Sequence, residues 1–455
     1  MGASHQLASF VAGTRYQDIE QPARDRAKLC VLDCIGVLLA GSTDDVAAPL
    51  LRFAAENNTG SDATLLGVGG RTDCATAALV NGAFSHALDY DDTNAIFIGH
   101  ASACIVAAIL ALAERTRASG ADIITAYMVG TEVQWRVGEA LVSGGDHYRR
   151  GWHSSGTVGS FGATAAAGRL LGLSESQLVN ALGITASLAG GVQQQFGTQC
   201  KPLQVGLANE NGVRAALLAR AGLGASPDAL DGPVGFFSLV SSVHDLRRLE
   251  NLAKPWGILE TTFARGMNMK RHPVCGSSIG AFEGAMQLRE SLSARLDQIV
   301  SIACGVRPES LNYLFFHRPT TTAQARFSVE YWVAATLIFG RLGLEQLTPD
   351  IVVRDDVQAL ISRIKVYPDP EITIERATVK ITITLKDGRR LTSSYVPPKG
   401  APDNPMSEEE ILAKFEECAE WGGIAPQNSR SAAAALLDLE RLPNILDLPP
   451  LLVRQ

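Results

Sequence analysis

The sequence predicts a mainly α protein, with a large all-α helical domain and a smaller α+β domain. Three observations carry this. Apolar residues recur at intervals of three and four through most of the stretch from Pro22 to about Gly224. The composition is 46% hydrophobic but only 6% aromatic, with 43 glycines, which suits helices that approach through small side chains. Alternating, β-branched stretches begin only after about residue 265.

The first long helical pattern is PARDRAKLCVLDCIGVLLAG, with Pro22 suited to a first turn and Gly41 to a C-terminal stop. The same period returns in DCATAALVNGAFSHALD, SACIVAAILALAERTRAS, ADIITAYMVGTEVQWRVGEAL, TVGSFGATAAAGRLLG, SESQLVNALGITASLAG and ANENGVRAALLARAGL. No fixed repeat of about 20–50 residues links these runs, so a solenoid is not expected. Strands are predicted in LDQIVSIACGV, RIKVYPD and ATVKITITLKDGRRLTSSYV, the last with Asp387-Gly388 as a hairpin turn. Helical patterns SSIGAFEGAMQLRESL and RFSVEYWVAATLIFG accompany them. After Pro397 and Pro398 the helical period resumes in SEEEILAKFEECAEW and SRSAAAALLDLERL. These changes set the expected boundaries: 1–265 for the helical domain, 266–400 for the α+β domain and 401–455 for C-terminal helices.

A formal net charge of −7 leaves no basic footprint and argues against a nucleic-acid partner. The eight cysteines are scattered without a CxxC pair and read as reduced, mostly buried thiols. MGASHQ lacks the features of a signal peptide, and Gln6 stands where a myristoylation motif wants Ser or Thr. The longest apolar run, CIVAAILALA, is about half a membrane span. The expectation is a soluble, cytoplasmic chain with no membrane contact.

Titratable chemistry is concentrated at or near predicted helix starts, where unpaired N–H groups and partial positive charge attract anions. HALDYDDTNAIFIGHAS, residues 86–102, sets Asp89, Asp91, Asp92, Thr93 and His100 ahead of SACIVAAILALAE. RRGWHSSGTVGSFG puts His153 before a Gly-rich helix start, and GTQCKPLQVG puts Lys201 before Pro202, favouring an extended lysine. KRHPVCGSSIG does much the same with Lys270 and Pro273. Tyr331 lies on an apolar helix, where a core tyrosine with a satisfied hydroxyl is the plain alternative. Caps, a solvated acidic loop and surface lysines are the plain alternatives for the others.

The acidic segment matches no zinc or calcium loop, and no metal site is expected. GVGG at 67–70 is not a dinucleotide fingerprint, and no GKS or GKT is present. GSSIG at 276–280 fits GxSxG around Ser278, but KRHPVC before it is a poor strand, so the match reads as chance.

HALDYDDT with GHAS, GWHSSGTVGSFGATAAAGRLLG, GTQCKPLQVG with NG, KRHPVC and RFSVEYWVAA, in this order, resemble the MmgE/PrpD family. The resemblance implies a large all-α domain built from both chain ends, a smaller α+β domain, and a homodimer. It implies an active site between the domains with no metal or organic cofactor. Its catalytic residues would fall on Asp89, Thr93, His100, His153 and Tyr331, with Lys201 and Lys270 binding substrate. Its activities imply a lyase acting on a small di- or tricarboxylate, 2-methylcitrate dehydratase-like or cis-aconitate decarboxylase-like, with an iminodisuccinate epimerase-like isomerase as the alternative. Several positions depart from the family pattern. HAS replaces HPS, Gln204 and Ile279 replace histidines, and Glu210 replaces an arginine.

The residues support proton removal next to a carboxylate. Lysines grip carboxylates as point charges, and imidazoles exchange protons near neutrality. In this reading His153 and His100 transfer the proton, Asp89 orients an imidazole, and Tyr331 and Thr93 hydrogen-bond substrate oxygens. Two other classes compete. A metal-dependent, terpene-synthase-like enzyme would use DYDDTN as ligands and an aromatic-rich pocket. A non-catalytic helical interaction protein would have no deep pocket and solvated lysines.

Overall fold

The structure, a computed structural model, describes all residues except 1, 143–145, 247–266, 277–278, 293–294, 373–378, 394–397 and 455. The helices of the first part are α1 Ala3–Gly13, α2 Gln21–Gly41, α3 Ala47–Glu56, α4 Cys74–Ala87, α5 Val106–Thr116, α6 Gly120–Val142, α7 Ser154–Leu170, α8 Glu175–Leu188 and α9 Cys200–Arg220. Their starts follow the capping rules. Asp73 accepts from the Ala75 and Thr76 amides at the head of α4, and Ser174 forms a capping box with Gln177 at the head of α8.

Small residues set the helix spacing. Gly41, expected as a stop, is still helical; a Cβ there would lie 1.9 Å from the Phe84 carbonyl oxygen. It is a contact point between α2 and α4. A Cβ on Gly206 would lie 2.3 Å from the Leu79 carbonyl oxygen, so α4 and α9 touch almost backbone to backbone.

Short ladders tie loops together: β1 Ala63–Thr64 with β2 Arg71–Thr72, and β3 Thr93–Asn94 with β4 Met267–Asn268. Farther on, β5 Ile299–Val306, β6 Ile364–Pro368, β7 Lys380–Leu385 and β8 Arg390–Thr392 form a sheet in the order β6-β5-β7-β8. β5 and β6 run parallel; the other pairs are antiparallel. Gly388, at φ +84°, closes the β7–β8 hairpin where Asp387-Gly388 predicted it.

The fold is therefore mainly α with a smaller α+β part. A second apolar core joins the sheet to the helices Ile279–Leu292 and Val329–Phe339. The helices Glu408–Trp421 and Pro426–Leu437 bury Phe415 and Leu436 in the first core, with Glu408–Trp421 lying along α2. All eight cysteines are free thiols, six of them buried. Among the described residues no helix is long and apolar enough to cross a membrane. Ser278, the centre of the GxSxG match, lies outside the described residues.

Candidate active site

The close approach of α4 and α9 brings His86, near the end of α4, to Lys201, in the first turn of α9. Lys201 Nζ stands 2.7 Å from His86 Nε2. Lys201 is therefore helical, not extended, because Pro202 lacks only an N–H that the first turn leaves unpaired anyway. Beyond α4 the chain turns sharply at Asp89, which holds φ +51°. The turn buries its carboxylate between two ammonium groups: Lys201 Nζ is 2.6 Å from Oδ2, and Lys270 Nζ meets Oδ1. The β3–β4 ladder, with Thr93 opposite Asn268, delivers Lys270 to this point.

Lys270 is fully buried, and its ammonium makes three contacts. It donates to the Asp89 carboxylate, to the Asp89 carbonyl at 2.6 Å and to the Val274 carbonyl at 3.3 Å. Its three protons are thereby used within the protein. Buried Lys414 supports the same turn from the C-terminal helix. It pairs with Asp33 at 2.7 Å and donates to the Tyr90 and Lys270 carbonyls at 2.9 and 2.8 Å.

Asp91 makes the closest contacts to the imidazoles, while Asp89 Oδ1 stands 3.9 Å from His100 Nε2. His86 Nδ1 lies 3.0 Å from both Asp91 oxygens. His100 Nδ1 lies 2.8 Å from Oδ2, within ion-pair reach though not aligned as a hydrogen bond. His100 does not open a helix, because Asp92 captures the Ser102 amide and hydroxyl and α5 begins only at Val106. His153 does sit at a helix start, as the N-cap residue of α7, and its side chain does no capping. Instead its Nδ1 is 2.6 Å from Gln204 Oε1, while Gln204 Nε2 donates to the Val192 carbonyl at 3.1 Å. That amide orientation places the proton on His153 Nδ1 and leaves Nε2 as an acceptor.

Burial pushes His153 well below the ordinary imidazole range, and the Lys201 ammonium adds to the effect. Burial pushes His100 down to about 3 despite Asp91, and lowers His86 in the same way. Burial alone would raise Asp89, but Lys201 and Lys270 hold it well below the carboxylate range. Burial also opposes ionisation of Asp91, and the two imidazoles it touches overcome that. Asp92 is the exception: burial raises it to about 7, against the pull of Ser102. At neutral pH Asp89 and Asp91 are thus held as carboxylates, while His86, His100 and His153 are held uncharged.

Beside this cluster opens a cleft of about 920 Å³, its mouth included. Its lining includes Thr93, His100, His153, Lys201, Cys275 and Arg307. Phe196 and Phe327 flank the Lys201 ammonium, with ring centres 5.4 and 5.0 Å away.

Residues 5–249 match the MmgE/PrpD N-terminal domain, and residues 272–439 match the MmgE/PrpD C-terminal domain. The chain belongs to the MmgE/PrpD family. It is 28% identical to the cis-aconitate decarboxylase of Homo sapiens over 421 residues, covering 90% of this chain and 86% of that one. It is 26% identical to the cis-aconitate decarboxylase of Aspergillus terreus over 486 residues, covering 99% and 96%. To the 2-methylcitrate dehydratase of Escherichia coli K12 it is 25% identical over 411 residues, covering 84% and 82%.

Within this MmgE/PrpD framework the structure gathers Asp89, Thr93, His100, His153, Lys201 and Lys270, but only Thr93, His100, His153 and Lys201 of these line the cleft. Tyr331 is elsewhere. It is buried in the second core, and its hydroxyl donates to the Gln346 carbonyl. Two departures from the family pattern acquire local partners: Gln204 holds His153, and Glu210 pairs with Arg214 at 2.7 Å. His86, Arg307 and Lys414 were not singled out, and Asp91 was named only as part of the acidic turn. The pair His86 and Asp91 stood in the quoted segment, at a spacing that lets a turn fold one onto the other. Arg307 and Lys414 carried no local signal, being single cations in a strand end and a charged helix.

His86, Asp91 and His100 offer atoms within 4.8 Å of one another, close enough to ligate an ion. However, the Lys201 ammonium already occupies His86 Nε2. The three acids of DYDDTN are also divided among lysines, imidazoles and Ser102, which does not suit the shared acidic ligand set of a terpene-synthase-like site.

Proposed function

We propose that this cleft binds a small di- or tricarboxylate and acts as a cofactor-independent lyase, dehydratase-like or decarboxylase-like, moving a proton next to a carboxylate. One observation carries the reading. The cleft presents two cations, Lys201 and Arg307, and two uncharged imidazoles, while no described lining residue is acidic. Anions are attracted to such a lining, and the imidazoles are in the form that accepts protons.

His153 is the base in this reading, because Gln204 fixes its proton on Nδ1 and turns the basic nitrogen outward. Lys201, anchored by Asp89 and His86, holds the carboxylate whose neighbouring carbon gains electron density. His100, braced against Asp91, is placed to return a proton, and Thr93 to hydrogen-bond a substrate oxygen. The family relatives named above fit this chemistry, since cis-aconitate decarboxylation and 2-methylcitrate dehydration each break a bond in a small polycarboxylate.

The test is incubation with a panel of di- and tricarboxylates in D₂O, followed by NMR. Turnover of one member with loss of water or CO₂ is the expected result. A panel showing neither product nor deuterium uptake at any carbon would overturn the assignment.

A further inference from the structure

We propose that Arg307 is the second carboxylate anchor of the cleft, gripping the distal carboxylate of a substrate whose reacting end lies on Lys201. The inference rests on the reading above and names the residue that selects for a second acid group. Four observations converge on it.

First, the sequence offered Lys270 as the second cation, but its ammonium is fully committed to Asp89 and Val274. Second, Arg307 lines the same cleft as Lys201 but comes from a different part of the chain, directly after strand β5 and before Pro308. A strand end next to proline fixes the backbone that carries it. Third, its guanidinium is oriented yet not consumed. Nη2 donates to the Tyr313 hydroxyl at 3.1 Å, and that hydroxyl donates onward to Ser310 Oγ at 3.3 Å. Among the described residues its ion-pair partner is Glu309, 3.7 Å from Nε and more than half exposed. No other partner of the guanidinium is found among the described residues, so Nη1 remains available on a side chain only 19% exposed. Fourth, a planar guanidinium held in this way suits forked pairing with a carboxylate, which an ammonium cannot provide.

The experiment is calorimetric binding of tricarballylate, a non-reacting tricarboxylate, and of butyrate, a monocarboxylate, to the full chain and to Arg307→Met and Arg307→Lys. Losing one charge-assisted contact should weaken tricarballylate about 10- to 100-fold in Arg307→Met. Arg307→Lys should recover part of this loss, and butyrate should bind all three proteins equally. Equal tricarballylate affinity in wild type and Arg307→Met would overturn the assignment, as would an equal loss for both ligands. Because Arg307 is partly exposed, unchanged circular dichroism is expected for the variants. Wild-type turnover of the D₂O panel is a separate arm. Binding that depends on Arg307 without any turnover would sink the lyase reading and leave the anchor standing. No carboxylate binding by the wild type would sink both.

Discussion

His153 combines a helix-start position with an imidazole kept uncharged by burial. His153→Ala should lower kcat by about 10²- to 10⁴-fold, the usual worth of a general acid or base. A rate within a few-fold of wild type would remove it from the mechanism. The pH profile gives an independent check. Because burial lowers His153, the base form persists below the ordinary imidazole range, near pH ~6.5. The acid limb of kcat/KM, corrected for titration of the substrate's own carboxyls, should therefore fall well below that pH. A limb at or above it would assign the base elsewhere. Tyr331 makes the opposite case. Tyr331→Phe strips the Gln346 carbonyl of its buried donor, costing about 1–3 kcal/mol of stability. Turnover measured below the shifted melting temperature should stay near wild type. Side-chain identity was legible in the sequence wherever several motifs agreed, as for Asp89 and Lys201. It was not legible where a role depends on which neighbour uses up the donors, as for Lys270 and Arg307.

Helices were the most legible elements, because their apolar period and caps are local properties. Their exact starts were less so. α5 begins late because Asp92 claims Ser102, and Lys201 is helical because the first turn tolerates Pro202. Close helix packing was legible from the glycine content, but not which glycine makes which contact, since a glycine within a helical run reads as a stop until its neighbour is known. Gly206→Ala tests that spacing. A Cβ 2.3 Å from the Leu79 carbonyl must part α4 from α9, and the His86–Lys201 contact depends on their approach. Both stability and kcat should drop together; loss of stability alone would show that the contact tolerates the shift. The helix Glu408–Trp421 holds the site through Lys414. Lys414→Met leaves Asp33 buried without its partner, which typically costs about 3–5 kcal/mol. Denaturant titration at neutral pH measures it, and a change under 1 kcal/mol, about the worth of a surface pair, would deny Lys414 this role.

At the scale of the whole molecule, the depressed histidines link the site to global stability. An unfolded His100 takes up a proton near pH ~6.5, whereas the folded one resists until about 3. Between those limits the unfolded state binds more protons, so His100 withdraws about 1.4 kcal/mol of stability per pH unit as the pH falls. His100→Asn should therefore unfold with a flatter pH dependence than wild type below pH ~6.5. Parallel curves would mean that His100 protonates normally in the native state. Sequence patterns distinguished the helical part from the α+β part, because periodicity changes where the sheet begins. They could not show that residues 89 and 270 share one buried charge pair.

That pairing has a consequence for how the protein comes into being. A nascent chain halted near residue 249 would carry the imidazoles and Lys201, yet Asp89 would lack its second cation and the turn its β4 partner. A chain stopped there is therefore expected to lack the closed turn that anchors Lys201, and with it the activity proposed above.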